Sequence, residues 1–315
     1  MKADSTIDVL HTCVRKFGRV TDDPAVAAFD AVTGMPPILG ASVGTTRANK
    51  RTGDYKVAVF ATDHRIAAKI VAEAKGEAIV TMVPEVKARA TGRYMQKHHA
   101  RTKLIGEQWE PAHRRHVGTA SVPVKLPGGG TGKLTNTHVV EETARPGDTM
   151  LQAGSRDGVV WGLSGIDYRV PNAVDSAIIG LRKGKRYSTT DPGLRRRAAG
   201  FRRRKPSDVG HEFTKTGRTT GTTFLRCIAV GVHGQPIAYE RGIAYVNNLG
   251  VYTGRDSVDG SAGGDSGSVI AALRDAYYVD LLFAGGPDSR GQDLTFACDV
   301  IDSIMAANGI PEIAA

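Results

Sequence analysis

The sequence predicts a mainly β protein with a small α/β unit at its N-terminal side. From Val117 onward, short β-prone runs are broken by glycine-rich turns and helical periodicity is nearly absent, whereas residues up to about 90 alternate helix-like and strand-like patterns. The chain has 315 residues, of which 41% are hydrophobic and 23% charged. That composition suits a globular protein with a substantial core and excludes a wholly disordered or coiled-coil chain.

Along the N-terminal unit, residues 5–20 predict an amphipathic helix, with Ser5 and Asp8 at its start and Ile7, Leu10, Val14 and Phe17 on one face. Residues 38–46 and 55–60 predict a hairpin around the polar turn 47–54. Residues 63–75 place Ile66, Ile70, Val71 and Ala74 on one helical face, with Gly76 as the stop, and 78–83 predict a further strand. The organisation expected is therefore an α/β domain over 1–90, a basic, histidine-containing linker over 91–116, and a β domain over 117–315. In the β domain, 122–126 and 133–140 predict strands around the turn 127–132, and 297–308 predict a C-terminal helix stopped by Gly309.

The formal net charge of +10 is local. Residues 182–205 hold eleven Lys and Arg against a single acid, Asp191, which accounts for the whole excess. Gly184, Pro192, Gly193, Gly200 and Pro206 discourage one regular element there, so the segment is expected to be an exposed insertion that binds a polyanion or an acidic partner, with a solvated loop as the bland reading. The three cysteines, Cys13, Cys227 and Cys298, are too few and too widely spaced for a disulfide framework and are expected to be reduced. Acidic residues stand where a signal peptide would carry its apolar run, and no stretch of eighteen apolar residues follows. A cytoplasmic location with no membrane contact is the expectation. His98, His99, His113 and His116 have no cysteine or carboxylate among them at ligand spacing, so they are read as solvated linker residues, with no metal and no cofactor expected.

Three places carry chemistry. In Gly263-Gly264-Asp265-Ser266-Gly267-Ser268 a serine stands between glycines, which lets the backbone approach a substrate carbonyl. The amides of Gly264 and Ser266 can then point together as an oxyanion hole. Four such letters also occur in flexible turns, so the motif needs partners. His138 ends a strand-like run that starts at Leu134 and is followed by the apolar Val139 and Val140, and a lone histidine there is also compatible with a structural role. Asp175 opens the apolar strand 176–179; a buried carboxylate needs a partner, and either His138 or nearby backbone amides would serve.

Order along the chain separates the convergent solutions of serine hydrolysis. No histidine follows Ser266, the last being His233, which excludes the order Ser, Asp, His of α/β-hydrolases. An order Asp, His, Ser would need an aspartate from the N-terminal unit or linker. His138, Asp175, Ser266 has the chymotrypsin order. The sequence resembles trypsin-like serine proteases of the chymotrypsin fold, in particular an intracellular bacterial and plant branch with an α/β domain ahead of the barrels. Residues 135–140, 144–148, 151–158, 174–178, 216–221 and 281–286 carry that resemblance, which covers most of residues 117–310.

The resemblance implies a double β-barrel and a serine endopeptidase acting on protein or peptide substrates. His138 would be general base, Asp175 its orienting acid and Ser266 the nucleophile, with Gly264 and Ser266 as oxyanion donors. It puts the substrate-pocket floor near Gly260 beside Asp259, leaving both an open apolar pocket and a preference for basic residues possible. Asp265 would pair either with a new N-terminus cut near residues 115–118 or with a lysine, arginine or backbone group of an already active chain. The sequence departs from the family in the short stretch between Val117 and His138, where strands are missing or come from elsewhere, and in the arginine-rich insertion. A protease-fold protein that is catalytically silent and binds nucleic acid or an acidic partner through that insertion is the rival reading.

Overall fold

The runs rich in β-branched residues form strands almost everywhere they occur. The computed structural model describes residues 41–47, 54–75, 77–88, 102–103, 106–112, 117–152, 155–183, 186–255 and 259–314. The expected helix at 5–20, Gly76 and the four histidines of the linker lie outside the described residues.

In the N-terminal unit, β1 (Ala41–Arg47) and β2 (Tyr55–Ala61) form the expected antiparallel hairpin, in register from Ala41 opposite Ala61 to Arg47 opposite Tyr55. Helix α1 (His64–Glu73) starts where the Asp63 carboxylate accepts the Arg65 amide at 2.7 Å, which satisfies one of the unpaired first-turn donors. Its buried face, Ala67 and Ile70 followed by Ala74, packs on Val43, Val57 and Val59. Strand β3 (Ala78–Met82) returns parallel to β2. Beyond it lies β4 (Lys87–Ala88), a two-residue strand.

Seven strands form an open half-barrel in the order β7-β8-β11-β10-β9-β5-β6: β5 (Glu107–Pro111), β6 (Gly118–Ala120), β7 (Pro123–Lys125), β8 (Thr131–Thr135), β9 (Thr149–Gln152), β10 (Ser155–Leu163) and β11 (Ala177–Leu181). Here the linker expected over 91–116 needs correction. Residues 107–111 pair with both β6 and β9, and Trp109 is fully buried against Met150, Val160 and Ile179. The missing strand of the first barrel is thus supplied from upstream of Val117.

The second barrel closes. β12 (Glu212–Gly217), β13 (Gly221–His233), β16 (Leu249–Gly254), β19 (Asp293–Asp299), β18 (Tyr277–Pro287) and β17 (Val269–Ala272) pair in a ring, β17 returning to β12. Closure removes the edges that an open sheet would expose. Phe213, Leu225, Tyr252, Ile270 and Leu282 fill the interior, and burying each aliphatic or aromatic side chain of this kind contributes about 1.5–3 kcal/mol. The hairpin β14 (Gln235–Tyr239) and β15 (Gly242–Val246) leaves the ring after β13. The C-terminal end of β13 also pairs with β1, Val43 opposite His233 and Thr45 opposite Val230, so the N-terminal hairpin continues the barrel sheet. A closed barrel beside a half-barrel is the mainly β, double-barrel architecture expected from the sequence.

Between the two β halves, Val122, Leu134 and Ile178 pack on Val269, Tyr278 and Leu281 together with Val300 and Ile304 of the C-terminal helix, Val300–Ala306. That helix is shorter than the expected 297–308. Ala297 and Cys298 stay in β19 because they are fully buried in the barrel, and the Asp299 carboxylate then caps the helix through the amides of Ile301 (3.0 Å) and Asp302 (3.2 Å). The last strand, β20 (Ile310–Ile313), adds to β7.

The described part of the basic segment 182–205 is neither the exposed binding insertion that the sequence suggests nor the solvated loop of the bland reading. Thr190–Asp191 and Arg196–Arg197 pair as a small hairpin, and Gly200–Phe201 runs parallel to the start of β18. Arg202 bonds Asp208 and Asp275, each at 2.8 Å, Arg203 reaches Asp302 at 2.7 Å, and the buried Arg204 pairs with Asp280 and bonds the Asn248 carbonyl. Tyr252 donates to the same Asp280 carboxylate. The charge pattern misled because the acids that meet these arginines lie outside the segment, Asp208 just beyond its end and Asp275, Asp280 and Asp302 far along the chain. A polyanion partner for the segment is not supported by this arrangement. Arg195, Arg196 and Arg197 remain exposed at the hairpin.

Replacing Arg204 with Met leaves the buried Asp280 carboxylate without its cation, and urea unfolding is expected to show a loss of about 3–5 kcal/mol. Replacing Arg195, Arg196 and Arg197 with Gln together is expected to leave the urea midpoint unchanged.

Candidate active site

The site forms where the two β halves meet, and three loops build it. The first follows β8, where residues 137–140 form a single helical turn, α2 (Thr137–Val140). His138 therefore sits in a helical turn, three residues beyond the strand, where the sequence suggested that it ends the strand itself. The second loop leads into β11 and carries Asp175, fully buried. The third, 262–268, carries Ser266 between β16 and β17.

Asp175 joins the first two loops. Its backbone carbonyl accepts the Asn136 side-chain amide at 2.6 Å, and its Oδ1 accepts the Thr137 amide at 2.8 Å. Its Oδ2 lies 2.5 Å from His138 Nδ1 and accepts the Tyr239 hydroxyl at 3.1 Å. In the tautomer that donates from Nδ1 to this carboxylate, Nε2 is the ring atom that bears the lone pair. Nε2 is buried and has no hydrogen-bond partner among the described residues. The alternative that Asp175 is satisfied by backbone amides alone does not hold, because its second oxygen is given to side chains.

Tyr239 was not legible in the sequence. It lies on β14, and its ring stands edge-on to His138 at 5.9 Å between centroids. Enclosure of its hydroxyl, and then the Asp175 charge, raise its pKa well above that of an ordinary tyrosine, which keeps it a donor.

The serine loop is docked on the half-barrel by backbone-directed bonds. Thr119 donates its amide to the Ser266 carbonyl (2.8 Å) and its hydroxyl to the Gly264 carbonyl (2.9 Å), while Ser121 Oγ reaches the Gly267 carbonyl at 2.7 Å. Gly264 and Gly267 have φ of +98° and +93°, a region that strains any residue with a Cβ; at Gly267 such an atom would also collide with the Thr119 carbonyl. Gly118 lies against both the Val139 side chain and the Ser266 carbonyl, so the residue after His138 and the serine flank one Cα. Among the described residues neither the Gly264 nor the Ser266 amide donates to a protein acceptor, as required of an oxyanion hole. The Ser266 hydroxyl donates to the Phe283 carbonyl at 2.9 Å, not to His138.

Asp265 holds the loop from below. Lys215 Nζ meets its Oδ2 at 2.8 Å with both side chains fully buried. The amides of Thr219 (2.9 Å), Thr220 (3.2 Å) and Ala262 (3.0 Å) and the Thr220 hydroxyl (2.7 Å) complete the set. Burial alone would push this carboxyl's pKa up; Lys215 and the donors outweigh it and bring it below the usual range. Of the partners the sequence left open for Asp265, the structure provides an internal lysine. A cut end near 115–118 is not needed to fill this position.

Gly260 is buried against Leu225 and Gly254. Next to it, Asp259 lines a cavity of about 280 Å³ with Asp293 and Arg290, so the region of the expected pocket floor carries charges of both signs. Cys227 and Cys298 are free, buried thiols, and no group of three or more potential metal ligands occurs among the described residues. No helix among them is long and apolar enough to cross a membrane.

No family model matches this sequence, and no curated protein does. Solved structures similar to the chain include Thermobifida fusca protease A, at 17% identity and a TM-score of 0.49, covering 68% of this chain and 100% of that one. Nocardiopsis protease is similar at 16% identity and a TM-score of 0.49, covering 67% and 98%. Cellulomonas bogoriensis chymotrypsin gives 20% identity and a TM-score of 0.46, covering 67% and 97%.

Replacing Lys215 with Met strands the Asp265 charge and is expected to cost about 3–5 kcal/mol in urea unfolding; adding Asp265→Asn is expected to recover part of that loss. Because the folded-state pKa of Asp265 is lowered, its stabilisation is complete above its unfolded value of about 3.9 and is lost as pH falls through the folded value. The stability gap between wild type and Asp265→Asn is thus expected to stay constant from about pH 8 to pH 5 and to shrink below about pH 4.

Proposed function

We propose that the protein is a serine endopeptidase that works by acyl transfer, with Ser266 as nucleophile, His138 as general base and Asp175 as the group that orients and charges the histidine. The observation that carries the proposal is the buried pair of Asp175 Oδ2 and His138 Nδ1 at 2.5 Å, which leaves an unpartnered Nε2 on the ring. A purely structural histidine would have both nitrogens satisfied when buried this deeply.

In the reaction, the Ser266 hydroxyl leaves the Phe283 carbonyl by rotation about χ1 and gives its proton to His138 Nε2 as Oγ attacks the scissile carbonyl. The imidazolium that forms is stabilised by Asp175, itself held by Tyr239 and the Thr137 amide. The amides of Gly264 and Ser266 receive the developing oxyanion. His138 then protonates the leaving amine, and water repeats the sequence in reverse to free the acid and restore Ser266. The lysine already seated on Asp265 supports a loop that is ordered in the intact chain. The rival reading, a silent protein that binds polyanions, is weakened by the acids that occupy Arg202, Arg203 and Arg204.

A fluorophosphonate probe is expected to label the wild-type protein at Ser266. Ser266→Ala and His138→Ala are each expected to lower kcat on a small ester by factors on the order of 10⁶, with the double variant little worse. Asp175→Asn is expected to lower kcat by roughly 10⁴ with the fold intact. Near-wild-type turnover in either of the first two variants would overturn the assignment. Tyr239→Phe keeps the ring contact but removes one donor from Asp175; a drop of about tenfold in kcat, worth about 1.4 kcal/mol, is expected with KM unchanged.

A further inference from the structure

One peptide bond sets the direction of the Gly264 donor. The Gly264 N–H belongs to the peptide that joins Gly263 to Gly264, and in a trans peptide the N–H points opposite to the preceding C=O. A flip of this peptide would replace the donor with the Gly263 carbonyl oxygen and present a negative end to the developing oxyanion. Such a flip turns ψ of Gly263 and φ of Gly264 by roughly 180°, and glycine accepts either sign of φ because it has no Cβ. The glycines that let the backbone approach a substrate thus leave the direction of this donor unfixed by sterics.

A hydrogen bond fixes it instead. Thr219, in the β12–β13 turn, donates its hydroxyl to the Gly263 carbonyl at 2.8 Å. The Gly264 N–H is thereby directed away from the turn. Gly263 is exposed, so solvent alone would not hold its carbonyl in one direction. The hydroxyl itself stands on a rigid support. The Thr219 amide is bound to Asp265 Oδ1 at 2.9 Å and the Arg218 amide to Thr119 Oγ1 at 3.0 Å. Gly217, at the end of β12, lies so close to the Asp265 carboxylate that a Cβ there would collide with it. The same Thr119 hydroxyl donates to the Gly264 carbonyl at 2.9 Å, which pins the next peptide. A threonine suits this position because its branched Cβ restricts χ1.

We propose that Thr219 is a positioning residue for acyl transfer, its hydroxyl holding the Gly263–Gly264 peptide so that the Gly264 N–H faces the oxyanion. The inference rests on the acyl-transfer reading and adds to it a residue that acts through the Gly264 amide. Its effect falls on the transition state and not on substrate binding, since the scissile carbonyl oxygen gains its charge only as Ser266 Oγ attacks. Loss of one oxyanion donor costs about 10²–10³ in kcat. A donor that remains but spends most of its time flipped costs less, in proportion to the competent fraction that is left.

The test compares the full-length wild type with Thr219→Val, which keeps the branched shape without the hydroxyl, with Thr219→Ala, and with Thr219→Ser, which keeps the hydroxyl. Steady-state hydrolysis of a small ester, the rate constant of fluorophosphonate labelling and the urea midpoint are measured on each. Thr219→Val and Thr219→Ala are expected to lose about tenfold or more in kcat and a similar factor in labelling rate, with KM and the urea midpoint near wild type. Thr219→Ser is expected to recover most of that loss. Thr222→Val, which removes the hydroxyl paired with Thr216 across the same hairpin, is expected to leave kcat and labelling unchanged. Thr219→Val with kcat and labelling within about twofold of wild type, or a loss carried by KM, overturns the inference and leaves the acyl-transfer reading standing. So does Thr219→Ser being as slow as Thr219→Val, an equal loss in Thr222→Val, or a loss that disappears once rates are corrected for the folded fraction. Absence of labelling and of ester hydrolysis in the wild type overturns the acyl-transfer reading, and the inference with it.

Discussion

A buried carboxylate organises the centre of this molecule. Asp265 lies in the loop that carries Ser266, and its two oxygens accept from Lys215, two backbone amides of the β12–β13 turn, the Thr220 hydroxyl and the Ala262 amide. An ionised group at this depth is tolerable only with such a complete set of partners. Satisfying it forces the turn, the loop and the floor of the barrel into one arrangement. The left-handed backbone at Gly264 and Gly267 follows from that constraint, because the loop must reverse twice within four residues to put the Ser266 carbonyl on Thr119 and the Gly267 carbonyl on Ser121. The two β halves are thereby joined at the serine by hydrogen bonds, and behind it by the apolar interface around Leu134, Ile178 and Leu281.

The same logic operates through Asp175. It draws a helical turn of the half-barrel, its own loop and Tyr239 from the β14 hairpin onto one carboxylate. β14 is also paired with β4, which lies along β18 next to Phe283. The N-terminal hairpin and β3 extend the barrel sheet, and Val86 and the two residues after it pack beside β14 and β18.

Much of the site was legible in the chain because it is written in local signals. Gly264 and Gly267 mark a tight backbone around Ser266, where the structure has positive φ, and the apolar residues after Asp175 mark a strand that the structure buries. The order of the three residues separated the convergent hydrolase arrangements without any coordinates. The strand character of 107–111 was hidden because Glu107, Gln108 and Glu110 read as polar linker; the apolar signal is confined to Trp109, and pairing on both sides by β6 and β9 is what makes it a strand. Arg202, Arg203 and Arg204 read as a solvated charge cluster because Asp208 falls just outside the basic run and their other partners, Asp275, Asp302 and Asp280, lie about 70 to 100 residues away.

The sequence by itself pointed to the fold class, the barrel-building runs and the three candidate residues His138, Asp175 and Ser266, since side-chain periodicity and glycine placement are properties of neighbouring residues. Only the tertiary structure decided which carboxylate meets which cation, that Tyr239 shares Asp175 with His138, that Lys215 fills the position under Asp265, and that Lys87–Ala88 lies along Ala284–Gly285. These are all contacts across long sequence separations. Burial makes them compulsory, but no local pattern encodes the partner, because any of several lysines, tyrosines or short strands would satisfy the same local requirement until the barrels close.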